Sequence, residues 1–573
     1  MRLPTALGLV SGLALLAAGV SAVADDRDHD RDDVRRVQTA TPIKHLVVIF
    51  QENVSFDHYF GTYPKAQNLT GETPFVAKKD TPKVNNLVTP LDVNNHFAPL
   101  GGIDLINHNP NNSQTAPNNG KQNGTAASNP FRLAPSQALT ADQGHNESPE
   151  ESAYDNGKMD GFPAWVGTAG PPPAGIGSKA LVMGYFDGNT TTALWNYAQH
   201  FALNDNNYTT QFGPSTPGAI NLISGQTNGL AATLNVVDGA NNLLHGTHEA
   251  FGDAAHLVSN ITEIGDGDPL LDACSSPTLD QITLAGRNIG DLLNAKNITW
   301  GSFMGGFDLS VVNANGTTGC ARETNPTAPG TPAFTSVDYI PHHAWFQYWN
   351  STLNANHVPP SSDAMIGRSD AANHEYDLSA FFTALKKHNL PAVSFLKALS
   401  IQDGHAGYSD PLDEQIFLAN TINAIMQCDE WKETAVIITW DDSDGWYDHQ
   451  MGPIVRQSNT TDDLLLGPGN CGSQKSNDVS GGTQNGRCGF GPRIPLLVIS
   501  PFAKRNYVDH RVLDFSSITR FIEDNFNLGR IGNGSADALA GTLNGLFDFS
   551  DRASGHRLIL DPKTGQIMDS DPD

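Results

Sequence analysis

An α/β fold on a mostly parallel sheet, with long loop insertions, is the class this sequence predicts, and three patterns predict it. Short unbroken apolar runs read as strands buried on both faces: Leu46, Val47, Val48, Ile49 and Phe50, then residues 392–396, 435–440 and 495–500. Patterns of helical period lie at 282–293, 378–385 and 416–426. Strands alternating with helices call for parallel crossovers. Gly and Pro, at 55 and 35 of 573 residues, supply long connections, while a 39% hydrophobic content is that of a globular chain. This length accommodates one large α/β domain with insertions as well as several average ones.

Taken in order, residues 1–24 carry Arg2, an apolar stretch and the small-residue end Ala22-Val23-Ala24, which reads as a cleavable export signal. An uncleaved anchor is the rival, weakened by the Gly, Ser and Ala content. Residues 25–41 form a charged linker, 42–530 the main domain, and 531–573 an extension packed on the domain or trailing from it. After the first strand, 85–129 is an Asn-, Gly-, Pro- and Ser-rich insertion without the means to build its own core. Residues 458–489 form a second polar loop. Five cysteines in an exported chain allow two disulfides, with proximity favouring Cys471–Cys488 first and Cys274–Cys320 second. Cys428 is then left in the helical pattern 414–428 as a buried, inert thiol.

A formal charge of -27 with no Lys/Arg cluster excludes a nucleic-acid partner, and no segment after residue 24 is apolar enough for a stable membrane span.

The chemistry gathers where strands stop. The first run ends in Glu52-Asn53 and the run 435–440 in Asp441-Asp442, so two strand ends deliver only oxygen donors. That donor set suits a hard divalent cation, Ca²⁺, Mg²⁺ or Mn²⁺, with Zn²⁺ still open; turn capping is the plain alternative. Ser215, in the turn Gly213-Pro214-Ser215-Thr216, falls near a helix N-terminus, where an anion and a serine alkoxide are both favoured, or where it serves as a simple cap. His145, His342, His343, His405 and His449 stand in loop-like surroundings, where imidazoles can donate to an anion and protonate a leaving oxygen.

Together these segments resemble the bacterial secreted phosphoesterase family that contains respiratory-burst-inhibiting acid phosphatases and non-hemolytic-type phospholipases C. The resemblance rests on Gln51-Glu52-Asn53 through Gly61, Asp142 with His145, Gly157-Lys158-Met159-Asp160-Gly161-Phe162, the Ser215 turn, the His342 and His405 segments, Trp440-Asp441-Asp442-Ser443-Asp444-Gly445, Gly491-Pro492-Arg493-Ile494-Pro495, and Tyr507-Val508-Asp509-His510. It implies an alkaline-phosphatase-like, three-layer α/β/α fold. It also implies one divalent metal ion, Ca²⁺ first, on Glu52, Asn53, Ser215, Asp441 and Asp442. Ser215 would be the nucleophile, with His145, His343, His405 and, at the margin, His342 around the phosphoryl group. Lys158 and Asp160 match a family motif, as an ion pair or in catalysis. Few residues follow Phe526, which favours an exported acid phosphatase, periplasmic or extracellular, acting through a phosphoserine on small phosphate esters. Phospholipase C action on phospholipid headgroups is the alternative, with a choline-type cation held by rings such as Trp345, Tyr348, Trp349, Trp446 and Tyr447. A non-catalytic exported cation-binding protein is the remote one.

Overall fold

The first strand, β1 (His45–Gln51), is buried at every residue, as an apolar strand covered on both faces must be. The computed structural model describes residues 38–112, 128–168, 173, 179–233, 257–262, 265–277, 279–328, 334–456, 463–467, 471, 487–550 and 556–571. The predicted export signal and most of the charged linker lie outside these residues, as does most of the loop 458–489. Further strands of the main sheet are β2 (Ala202–Tyr208), β3 (Trp300–Met304), β4 (Glu375–Asp377), β5 (Val393–Lys397), β6 (Thr434–Trp440), β7 (Arg493–Ile499), β8 (Tyr507–Asp509) and β9 (Leu513–Asp514). Their order is β4-β3-β5-β1-β6-β7-β2-β8, with β9 also on β2. All described pairings are parallel except those of β7, which runs against both β6 and β2.

Helices used below are α1 (Phe56–Phe60), α2 (Glu147–Tyr154), α3 (Thr192–His200), α4 (Ser215–Ser224), α5 (Ile289–Ala295), α6 (Leu378–Lys387), α7 (Pro411–Met426) and α8 (Phe515–Phe526). α4 packs with α5 and α8, and α7 with α3 and α6, giving two helical groups on either side of a sheet whose central strands are buried at successive residues. This is the three-layer α/β/α arrangement. The segment after α8 adds Ile531, Leu543, Leu546, Leu558 and Leu560 to the core, and Asn423 of α7 donates to Leu560 O at 2.7 Å.

Two expectations need correction, and one strand carries no sequence signal. Residues 282–293 are not one helix: Gln281–Leu284 is a strand of a small second sheet, Gly286 takes a φ of 91°, and α5 begins behind Asn288, whose side chain accepts from Asp291 N at 3.2 Å. The apolar positions fit either period there, and the glycine turn decides between them. The cysteine ranking reverses, because the disulfide formed is Cys274–Cys320, whereas Cys471 and Cys488 are buried neighbours outside any disulfide. Cys428 lies just past α7, with its thiol pushed up to about 12, chiefly by burial. Finally, β2 reads Ala-Leu-Asn-Asp-Asn-Asn-Tyr yet is wholly buried, and no apolar run announces it.

Three of its polar residues are matched by partners far along the chain. Asn204 Nδ2 donates to Asp509 at 3.0 Å, Asn206 Nδ2 to His510 O at 2.8 Å, and Asp205 accepts from Asn85 N at 2.7 Å. The insertion that begins at Asn85 is fastened in the same way: Asn86 Nδ2 donates to Tyr63 O at 2.7 Å and Asn109 Nδ2 to the Tyr447 hydroxyl at 2.9 Å.

Because β7 runs antiparallel, its first residue, Arg493, arrives at the edge where the parallel strands end. The guanidinium lies 3.0 Å from Asp448 and 3.3 Å from Asp57, sits over the Phe56 ring at 4.5 Å, and donates to the carbonyls of Asn85 and Asp205 at 2.8 Å. It ties the loop after β1 to the loop after β6. Arg493→Met strands two buried carboxylates, so the free energy of unfolding by urea should drop by about 3–5 kcal/mol. An unchanged midpoint would show that the network contributes nothing.

Candidate active site

The ends of β1 and β6 emerge side by side because the parallel register sets Gln51 beside Trp440. Pairing continues into the loops, where Asp441 N donates to Gln51 O at 3.1 Å, Glu52 N to Asp403 O at 2.9 Å and Val54 N to Asp442 O at 2.9 Å. Glu52-Asn53 and Asp441-Asp442 are thereby fixed on one edge. Ser215 reaches that edge from β2, through a turn in which Gly213 takes a φ of 115°, a conformation that favours glycine. It is the first residue of α4, behind Pro214, which provides no capping oxygen. Its Oγ lies 3.1 Å from Glu52 Oε2 and 3.2 Å from Asp442 Oδ2, with one hydrogen to share between them.

Carboxylates crowd this space out of water. Glu52, Asp403, Asp441, Asp442 and Asp444 are each at most 1% exposed. Burial and then Asp441 hold the Glu52 carboxyl well above its usual range, against Lys397. Burial and Asp441 do the same to Asp442, against His145. Like charges gathered without water favour proton uptake or a cation among them. At the same place both polar atoms of the Asn53 side chain, and Asp441 Oδ2, are buried with no hydrogen-bond partner. Orphaned acceptors beside an acidic, oxygen-only set fit a divalent metal ion on Glu52, Asn53, Asp441, Asp442 and the Ser215 hydroxyl.

The histidines divide into two groups. His145 and His405 face each other edge-on with ring centroids 5.8 Å apart, and their ligand atoms lie within 4.8 Å of those of Asp142 and Asp444. His145 Nδ1 is 3.0 Å from Asp444 Oδ1 and 2.9 Å from Gln143 O. Burial pulls its pKa down, but Asp442, Asp444 and Asp142 outweigh this and hold it well above the ordinary value. His405 is driven down to about 4 by burial, and its Nδ1 lies 2.5 Å from Ala406 O. On the other side, His343 Nδ1 faces Glu52 Oε1 at 3.1 Å, and His342 lies 3.7 Å from Asp268. Burial, then Lys397, keeps His343 well below the usual histidine value.

Four residues in this site were not singled out from sequence. Lys397, the last residue of β5, contacts Glu52 Oε1; it is the charge that closes a strand just as Glu52 does, so the same end-of-strand logic finds it. Asp403 and Asp444 lie within quoted motifs, beside more conspicuous neighbours. Glu150 of α2 has no sequence signal: buried, it accepts from Ser443 Oγ at 2.7 Å and from Gly213 N at 3.1 Å, joining the loop after β6 to the turn before Ser215. Lys158, by contrast, is exposed and pairs with Asp155 at 2.8 Å. His449 belongs to the Arg493 network, 2.5 Å from Asp57. The Trp345, Tyr348, Trp349, Trp446 and Tyr447 rings are all buried in the core clusters.

Acidic residues and a serine gathered at the strand ends of an α/β sheet make this the candidate site, and comparison with known proteins gives the family. The chain belongs to the Phosphoesterase family, whose model matches residues 43–529. It is similar to the non-hemolytic phospholipase C of Burkholderia pseudomallei, with 31% identity over 36% of this chain and 29% of that protein. To the hemolytic phospholipase C of Pseudomonas aeruginosa it is 22% identical over 90% of this chain and 57% of that protein. The chain thus spans little more than half the length of even the more fully matched relative. Among solved structures, a protein in the alkaline phosphatase superfamily from Vibrio parahaemolyticus is similar at 11% identity and a TM-score of 0.24, covering 65% of this chain and 67% of that one. That likeness is too slight to carry an argument.

The close approach of α4 to Asp441 is testable. A Cβ on Gly218 would stand 2.4 Å from Asp441 O, so Gly218→Ala must push the helix and its Ser215 away from the acidic pair. Overpacking of this kind costs about 1–3 kcal/mol. Calorimetric titration with Ca²⁺ or Mn²⁺ should read at least about tenfold weaker binding. Wild-type affinity would mean that α4 is not part of the cation site.

Proposed function

We propose that the chain is a metal-dependent phosphoric ester hydrolase of the acid phosphatase type, acting through a phosphoserine on Ser215. The observation that carries this reading is the Ser215 hydroxyl held between Glu52 and Asp442 at a helix N-terminus, beside the unpartnered oxygens of Asn53 and Asp441. A bound divalent ion, with Ca²⁺ first and Mg²⁺, Mn²⁺ or Zn²⁺ as alternatives, would supply charge neutralisation at the serine oxygen and at a phosphoryl oxygen. The chain's own residues do the rest. Ser215 Oγ attacks phosphorus in line, giving up its proton to the surrounding carboxylates, and the ester oxygen leaves on the opposite side.

Hydrogen bonds support distinct roles for the flanking rings. His145 Nδ1 faces a carbonyl and a carboxylate, a setting that favours the doubly protonated ring, so Nε2-H is free to donate to the phosphoryl group or the departing oxygen. His405 Nδ1 faces a carbonyl, so in the neutral ring it keeps the hydrogen and leaves Nε2 as an acceptor. That suits His405 to draw a proton from the water that cleaves the phosphoserine. His343, against Glu52, holds the carboxylate in place, and His342 stands at the margin.

Substrates on this reading are small phosphate esters. A second reading, phospholipase C action on phosphodiester headgroups, draws on the names of the similar Burkholderia and Pseudomonas proteins. The sequence of residues 1–24 supports export to the periplasm or beyond, and no helix among the described residues is long and apolar enough to cross a membrane.

Ser215→Ala should lower hydrolysis of p-nitrophenyl phosphate at least about a thousandfold in metal-supplemented buffer, and chelation should abolish the wild-type activity. Wild-type rates in Ser215→Ala would remove the nucleophile. Phosphocholine release from phosphatidylcholine far faster than monoester cleavage would overturn the phosphatase assignment in favour of the phospholipase. No activity on either ester would favour a cation-binding protein. Asn53→Ala removes a neutral donor without changing the charge of the cluster, and should raise the metal concentration needed for half-maximal activity about tenfold or more.

A further inference from the structure

Beside Ser215 stands one carboxylate that the chemistry above leaves unused. Asp266 accepts a hydrogen bond through Oδ1 from Thr216 N at 3.0 Å, although it lies 50 residues further along the chain. Thr216 is the second residue of α4, and its amide is one of the donors that a helix start leaves unpaired. Pro214, at the cap position, has no oxygen to offer in its side chain. The anion on this amide therefore comes from a separate segment. That segment is fixed: the Tyr348 hydroxyl donates to Gly267 O at 2.8 Å, and Asp268 accepts from Ser276 N at 2.7 Å while lying 3.7 Å from His342 Nδ1. Asp266 itself is partly exposed, whereas Gly267 and Asp268 are buried.

We propose that Asp266 is a charge-selecting residue of this site, an inference that rests on the phosphoesterase reading and deepens it. A fixed negative charge one residue from the nucleophile raises the energy of any phosphoryl group in proportion to that group's own charge. A monoester above its second pKa brings two negative charges and a diester one. Asp266 thus favours singly charged phosphoryl groups, a monoester below its second pKa or a diester, by repelling the dianion rather than by gripping the alcohol portion. A cap without any selecting role is the competing account of the same hydrogen bond, and the two part on the asparagine variant. An asparagine amide oxygen can still accept from Thr216 N, so Asp266→Asn keeps the cap and removes only the charge.

The test compares kcat/KM at pH 7.5 for p-nitrophenyl phosphate and methyl p-nitrophenyl phosphate in the metal-loaded wild type, Asp266→Asn, Asp266→Ala and Ser215→Ala. Asp266→Asn should raise the monoester-to-diester ratio about tenfold or more. A readout free of turnover accompanies it: inorganic phosphate should bind the Ser215→Ala/Asp266→Asn double variant about tenfold more tightly than Ser215→Ala alone, by calorimetry. An unchanged ratio and phosphate affinity in Asp266→Asn, or a change confined to Asp266→Ala, overturns charge selection and leaves a cap. If Ser215→Ala is inactive on both esters in that case, the phosphoserine reading stands without the selector. If Ser215→Ala keeps wild-type activity, the site reading itself fails, and the selector with it.

Discussion

Everything at this site follows from carboxylates brought together by a parallel register and then denied water. The pairing of β1 with β6 leaves Glu52 and Asp441 no choice but to emerge as neighbours, and the loop pairings to Asp403 and Asp442 add two more acids. Such a group is unstable by itself, since each buried charge lacks solvent and each faces others of its sign. Its surroundings read as the response. Lys397 enters from β5, His343 from the segment before Trp345, and His145 from the segment before α2, each with a side-chain nitrogen toward an acid. What these leave unmatched are the polar atoms of the Asn53 side chain and Asp441 Oδ2.

A cluster under that repulsion keeps its geometry only if its loops are held from outside. The single antiparallel strand accomplishes part of this. Reversing β7 puts Arg493, rather than the far end of that strand, at the active edge, where one guanidinium spans the loops that follow β1 and β6. Glu150 makes the matching tie between the loop after β6 and the Ser215 turn, and Gly218 allows α4 to lie directly against Asp441. None of these residues needs to meet substrate. They set the distances at which those that do can act.

The strands and the acidic pairs were legible in sequence because both obey local rules: apolar runs bury, and the residue after such a run faces the strand-end crevice. β2 was not, since Asn204, Asp205 and Asn206 are buried only by virtue of partners far along the chain, at 509, 510 and 85. Glu150 and Asp266 were hidden for the same reason, as each acts on a turn that its own sequence neighbourhood does not contain. The stretch 282–293 failed differently: its apolar spacing satisfies two periods, and only the backbone at Gly286 separates strand from helix. For the cysteines, closeness along the chain put Cys471 and Cys488 first, yet the bridge that forms closes the longer separation of 46 residues.

Hydrogen-bond partners also separate the proposed nucleophile from a serine nearer the end of β1. Ser55, Asp57 and His58 stand together just after β1 and contain the residue types of a hydrolytic triad. Their atoms are committed elsewhere. Ser55 Oγ donates to Tyr447 O at 2.9 Å and accepts from His58 N at 3.2 Å as the cap of α1. Asp57 is taken by His449 and Arg493, and His58 Nδ1 lies 2.8 Å from Gly184 O with its ring stacked on Trp446 at 3.9 Å. A buried imidazole fixed in that way, its pKa lowered to about 3 by burial, has neither the serine nor the aspartate for a partner. Ser215 is the reverse case. Its hydroxyl touches two carboxylates, either of which can accept its hydrogen, and a cation held there would favour the alkoxide. On the proposed mechanism, the crowding that makes the acidic cluster costly is also what would draw a cation to this serine.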